Sequence, residues 1–160
     1  MLRIISLFLL TTLALCQKAE PELKWQTYTS RGLFDHRTGL TFYSVSKTKK
    51  VMNNGEFFAG IGTMFAINSV ATGMKFHIDK SSRFYDNMYA LAGMRVMAFS
   101  HRDLTLENAR FVPTVALGIE KKLWDKSYIN IGLFTSIEYY GDERGTSALT
   151  FPSISYITRW

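Results

Sequence analysis

The sequence predicts an all-β fold, an antiparallel up-and-down barrel of about eight strands built from residues 17–160. Three observations lead there. Apolar residues alternate with small or polar ones along most of the chain, polar turn-forming stretches interrupt the alternation, and the first 16 residues read as a segment that is cut away.

That opening segment, MLRIISLFLLTTLALC, has the three parts of a secretory signal peptide. Arg3 gives the positive start, Ile4 to Leu15 the apolar stretch, and Ala14-Leu15-Cys16 places small residues at positions −3 and −1 of a cut. The apolar run is short of the roughly 20 residues a spanning helix needs. Lipidation of Cys16 is the weaker alternative, because bulky Leu15 stands where a small residue normally precedes a lipidated cysteine. Cleavage after Cys16 leaves 144 residues, enough for a single domain, with no cysteine and hence no disulfide. The formal charge of +6 becomes +5 without Arg3. For an exported chain this favours phosphate-rich envelope surfaces over nucleic acid.

The strands follow in order. Trp25 to Leu33 is the least regular, and Leu40 to Lys47 is better. Gly55 to Ile67 sets Phe57, Ala59, Ile61 and Thr63 against Glu56, Phe58, Gly60 and Gly62. After a tight turn at Asn68-Ser69, Val70 to Asp79 opposes Val70, Thr72, Met74, Phe76 and Ile78 to Ala71, Gly73, Lys75, His77 and Asp79. Met88 to Phe99 alternates loosely. Phe111 to Lys122 and Tyr128 to Tyr140 alternate cleanly, and the β-branched residues in the latter argue against a helix. The final strand is LTFPSISYITRW. Eight strands of about 8 to 13 residues exceed the usual soluble length and match the 9–11 that a tilted strand needs to cross a bilayer.

A soluble periplasmic β-sandwich would also alternate, so the composition of the two faces decides. The second face holds Gly, Ala, Ser and Asn with sparse ionisable groups, which suits a narrow lumen more than a solvated surface. The other face is almost free of charge, as hydrocarbon requires, with Val115, Leu117, Ile131 and Leu133 expected to face lipid. Aromatics gather at strand ends, as interfacial girdles do. Tyr156 and the last residue, Trp160, have the form of the C-terminal signal read by barrel-insertion machinery. The expected location is therefore the outer membrane.

From Leu40 to Trp160 the order of features resembles the PagP-like lipid A palmitoyltransferases, eight-stranded outer-membrane barrels that move an acyl chain from phospholipid to lipid A. The matching stretches are FFAGIGTMF, MKFHIDKSSRF, YALAGMRV and FVPTVALGIEKKL. The resemblance implies an Asp-Ser step at the end of MKFHID. Here Asp79 is followed by Lys80, with Ser81 and Ser82 next. The family's histidine belongs where this chain has Tyr43-Ser44-Val45, so the motif departs at its catalytic base.

Alternation puts Lys75, His77 and Asp79 on one inward stripe. With Ser81 these supply the candidates for acid/base or nucleophilic chemistry. The adopted reading is instead an internal salt-bridge network of Lys75, Asp79, Arg95, Glu120 and Glu138, since unpaired charges in a narrow lumen are costly. His36, His77 and His101 are scattered and support no metal site, and no cofactor motif is present. Lys47 to Lys50, His101 to Asp103, and Arg31 with His36 and Arg37 read as solvated loops able to touch lipid phosphates. The expected role is structural or surface-interacting, with outer-membrane lipids and lipopolysaccharide as partners. An outer-leaflet lipid A acyltransferase is the alternative.

Overall fold

The computed structural model describes residues 24–65, 67–80, 82–99, 110–139 and 146–160, without the side chains of residues 79, 80, 99, 110, 138, 139 and 146. Residues 1–16, expected to be a signal peptide, Ser81 and the His101 to Asp103 stretch lie outside the described residues. Eight strands run β1 (Gln26–Leu33), β2 (Tyr43–Met52), β3 (Gly55–Met64), β4 (Ile67–Lys80), β5 (Asn87–Phe99), β6 (Arg110–Trp124), β7 (Ser127–Tyr139) and β8 (Thr146–Arg159). Each pairs antiparallel with its sequence neighbours, and β1 pairs with β8 to close the barrel. Among the described residues no helix is long and apolar enough to cross a membrane.

The period-2 pattern sets which side chains point in. Phe58, Ala71, Tyr89, Leu91, Ala116 and Phe134 form the inner apolar cluster. Their cross-strand phase carries Ser44, Ser46, Ser69, Lys75, Arg95, Thr114, Asn130 and Ser136 inward as well, all buried. Outward phase holds Ile61, Val70, Val115, Leu117, Ile131, Leu133 and Ile154, with Leu117 61% exposed. Cross-strand partners share a face, so one buried residue fixes the orientation of its whole row.

Two sequence expectations shift. β3 ends at Met64 and β4 begins at Ile67, so the tight turn between them comes before Asn68-Ser69 and includes Phe65. Phe65 takes a left-handed φ of 50°. Ser69 sits inside β4, where its hydroxyl donates to the Thr38 carbonyl at 3.0 Å. Lys47 to Lys50 belong to β2 rather than to a loop, with Thr48 buried between them.

The connection from β1 to β2 is the other departure. In place of a solvated loop, residues 34–42 fold back into the lumen, where Asp35, His36, Arg37, Thr38 and Thr41 are each at most 2% exposed. The segment builds its own turn. Asp35 accepts from the Arg37 amide at 3.0 Å and from the Thr38 hydroxyl at 3.2 Å, and its backbone carbonyl receives the Gly39 amide at 2.6 Å. Small wall residues make the room: a Cβ on Gly60 would stand 3.1 Å from Thr38 Cγ2, and one on Gly62 only 2.4 Å from Thr41 Cγ2. At the entry Phe34 has a φ of 58°, a conformation costing about 1–3 kcal/mol for a non-glycine residue. Its ring stacks on Phe151 at 5.5 Å and packs on Phe134 at 5.8 Å, contacts that offset the strain.

Candidate functional site

The two ends of the barrel differ. The end holding both termini has the two-residue turns Asn53-Asn54 and Asp125-Lys126. All three tryptophans lie toward it, Trp25 just before β1, Trp124 closing β6 and Trp160 just after β8, each at least half exposed. Inside this half of the barrel the ionisable groups of five segments meet.

The β3 strand contributes Glu56 close to the Asn53-Asn54 turn, β4 contributes Lys75 and His77, and β5 contributes Asn87 and Tyr89. From β6 comes Glu120, and the infolded connection adds His36 and Arg37. Lys75 Nζ donates to Glu120 Oε1 at 2.5 Å and lies 4.5 Å from the centre of the Tyr89 ring. Asn87 Nδ2 donates to the second Glu120 oxygen at 2.8 Å, and Asn87 Oδ1 lies 2.8 Å from His77 Nδ1. Tyr89 and Asn130 exchange hydrogen bonds at 3.0 and 2.7 Å. Around Glu56 Oε1 stand Arg37 Nη2, Lys75 Nζ and His77 Nε2, at 3.7, 3.8 and 3.9 Å.

The infolded segment is electrostatically coupled to this cluster. His36 Nδ1 lies 3.2 Å from Asp35 Oδ1, its Nε2 faces Glu120 at 3.8 Å, and its ring packs on Tyr89. Burial, reinforced by Arg37, pushes the His36 imidazole below its ordinary range against the pull of Asp35. For Asp35 burial acts to raise the carboxyl pKa. The adjoining imidazole, the Arg37 charge and the Ser44 hydroxyl outweigh it and hold the group well below the usual carboxylate range.

Of the residues expected in a lumen network, Lys75 and Glu120 are in direct contact. Arg95 is inside too, 1% exposed, but it does not join them. Its guanidinium lies 5.3 Å from the Phe134 ring centre, and its Nε and Nη1 have no hydrogen-bond partner among the described residues. Gly39, at φ +80°, passes so close that a Cβ there would fall 2.0 Å from Arg95 Nη1. The register shifts between His77 and Asp79, and Asp79 pairs with Met88. Glu138 pairs with Ser147 in β8, and its side chain, like that of Asp79, lies outside what is described.

Of the weak catalytic candidates, His77 has Asn87 and Glu56 as neighbours. The serine nearest a buried imidazole–carboxylate pair is Ser44, whose hydroxyl donates to Asp35 and not to His36. That order, serine to carboxylate to imidazole, does not place a base against the hydroxyl. Among the described residues no group of three or more His, Cys, Asp or Glu side chains is gathered as metal ligands.

Sequence reading missed Asp35, His36 and Arg37 as lumen groups. It placed Glu56 on the inward face but left it out of the network. Alternation alone could have supplied Glu56; the infolded trio had only an indirect signal, the run of Ser44, Ser46, Gly60 and Gly62 on facing inner positions. Set against protein-family models, curated proteins and solved structures, the chain matches none of them.

Proposed function

We propose that the protein is an outer-membrane β-barrel whose role is structural or surface-interacting, a non-conducting element of the cell envelope. The observation that carries this reading is the contrast of faces. Large apolar side chains such as Ile61, Leu117, Leu133 and Ile154 point away from the barrel, while charged Lys75, Glu120, His36 and Arg37 are sequestered within it. A water-soluble barrel has the opposite economy of surface, and an exposed apolar belt on β3 to β8 calls for a hydrocarbon surrounding. The tryptophans toward one end support an interfacial girdle. The start of β1, the end of β8, the two-residue turns Asn53-Asn54 and Asp125-Lys126 and the connection from β4 to β5 fall at one end, which suits a periplasmic side. The infolded connection occupies the lumen and favours a closed barrel over a channel.

Refolding tests the reading. In maltoside micelles the chain from residue 17 is expected to give β-type circular dichroism and a gel mobility that changes on boiling. A soluble monomer with cooperative melting in plain buffer overturns the membrane reading. Lipid analysis of an outer membrane containing the protein separates the roles: unchanged lipid A supports the structural one, and a newly palmitoylated species moves the assignment to an acyltransferase.

A further inference from the structure

The end of the barrel that holds the termini opens into a cavity of about 520 Å³. Lys24 and Lys50 stand on its exposed rim, and Arg37, Lys75 and His77 line it more deeply around Glu56. The three deep groups share a single carboxylate oxygen at 3.7–3.9 Å, all outside the hydrogen-bonding range of 2.7–3.2 Å. Lys75 has a close partner elsewhere, Glu120. Arg37 has none. Its guanidinium lies over the Tyr28 ring at 4.6 Å, and its Nε and Nη1 donate to nothing among the described residues although the side chain is 2% exposed. A buried guanidinium with unused donors is an unfavourable arrangement unless a further acceptor completes it.

Neither rim lysine pairs with a carboxylate among the described residues, and the rim acid Asp86 is engaged by Lys121 at 3.5 Å and by the Lys122 amide at 2.6 Å. Among the described residues lining the bowl, Lys24, Arg37, Lys50 and Lys75 outnumber the carboxylates Glu56 and Asp86.

We propose that this bowl binds a phosphate group, held by Arg37, Lys75 and His77 and attracted through Lys24 and Lys50. The donor geometry distinguishes phosphate from a carboxylate. Glu56 offers one oxygen to three donors and satisfies none, whereas a tetrahedral phosphate presents separate oxygens that Arg37, Lys75 and His77 can each take. Glu56 then acts as the resident anion that a ligand displaces. The proposal depends on the bowl alone and holds whether the outer face meets lipid or water. The phosphate can come from a soluble phosphate compound or from a phospholipid headgroup.

The test uses the refolded protein in maltoside micelles, which contain no phosphate. One arm titrates inorganic phosphate at millimolar concentration, and a second dopes the micelles with phosphatidic acid in phosphate-free buffer; both follow the His77 and Arg37 side-chain NMR resonances. The expected result is a saturable shift confined to the bowl, in the first arm for a soluble ligand or in the second alone for a headgroup. Glu56→Gln removes the competing anion and no cation, and is expected to tighten binding severalfold. Arg37→Gln is expected to abolish the shift, while Lys47→Ala, on the outer wall, leaves it unchanged. Absence of a saturable shift in both arms overturns the proposal. So does Glu56→Gln binding no tighter than the parent, a comparison that remains decisive if Arg37→Gln fails to fold.

Discussion

The wall of β1 and β2 and the wall of β4 to β8 belong to one closed sheet but are built differently. The later strands have 13 to 15 residues and an outer face of Val70, Met94, Phe111, Leu117, Ile131, Leu133 and Ile154. The first two have 8 and 10 residues, and their outward phase reads Thr27, Thr29, Arg31, Leu33 and then Tyr43, Val45, Lys47, Lys49. Cations that would be costly on the apolar side stand beside aromatics here: Arg31 lies 5.9 Å from the Tyr43 ring centre and Lys49 lies 5.8 Å from that of Trp25. The chain leaves the wall after Leu33, beside Gly32, where a Cβ would come close to the Ile154 carbonyl oxygen, and the following residues fill the lumen. The short wall and the filled interior are thus one event: residues that would have lengthened β1 and β2 instead pack their side chains inside.

Substitution separates the two walls. Leu133→Arg places a cation on the apolar face and is expected to cost about 2–4 kcal/mol, if the belt meets lipid. Thr29→Arg on the short wall is expected to cost about 0–1 kcal/mol, the value near an interface. Urea unfolding in micelles compares them, and equal costs would erase the distinction. Next in size is Gly39→Val in the infolded segment. A β-branched residue at φ +80° that also meets Arg95 is expected to lose about 1–3 kcal/mol. A parent-like melting temperature would mean that the segment is not held against Arg95.

Acid acts on the same segment. His36 is held neutral by the fold, so stability present at neutral pH is lost as pH falls below the unfolded value of about 6.5 toward the lower folded one. Asp35, whose carboxyl is depressed, adds a loss of the same sign further down, below about 3.9. The melting temperature is expected to fall from pH 7 to pH 5, and His36→Gln to flatten that slope; a slope identical in the variant would place the titration elsewhere. The smallest effect belongs to Lys47→Ala, expected within about 0.5 kcal/mol of the parent, as for an exposed side chain with little packed against it. A loss several times larger would mean that the short wall is covered by a partner.

The barrel class and the faces of β6 and β7 were legible because bulky and small residues alternate there without interruption, so Leu117 and Leu133 point out as their spacing predicts. β2 was truncated in the sequence reading because its outer face is cationic, and Lys47, Lys49 and Lys50 look like a solvated turn when only apolar periodicity is followed. The β3–β4 turn was misplaced for a chemical reason. Asn68 and Ser69 are turn-type residues and Phe65 is not, yet Phe42 packs against the Phe65 ring at 5.4 Å and Thr38 provides an acceptor for Ser69 inside the strand. The site was half legible. Lys75 and Glu120 follow from alternation, but the position of Arg37 depends on where a nine-residue connection folds, and its own residues do not encode a direction.

The β1–β8 seam has a consequence for how the molecule reaches this state. Every other pairing joins neighbours in sequence and can grow hairpin by hairpin, whereas the seam brings together groups as distant as Thr29 and Trp160, 131 positions apart, through six register pairs. Closing so long a loop is entropically the most demanding contact and belongs late in folding. Until then the sheet is an open curl with two free edges, and β8 has the longer one, since β1 covers only Ile154 to Arg159. Free edges pair with whatever strand arrives first. Refolding yield is therefore expected to fall steeply with protein concentration, through strands exchanged between chains, and a yield independent of concentration would show that the ends meet early.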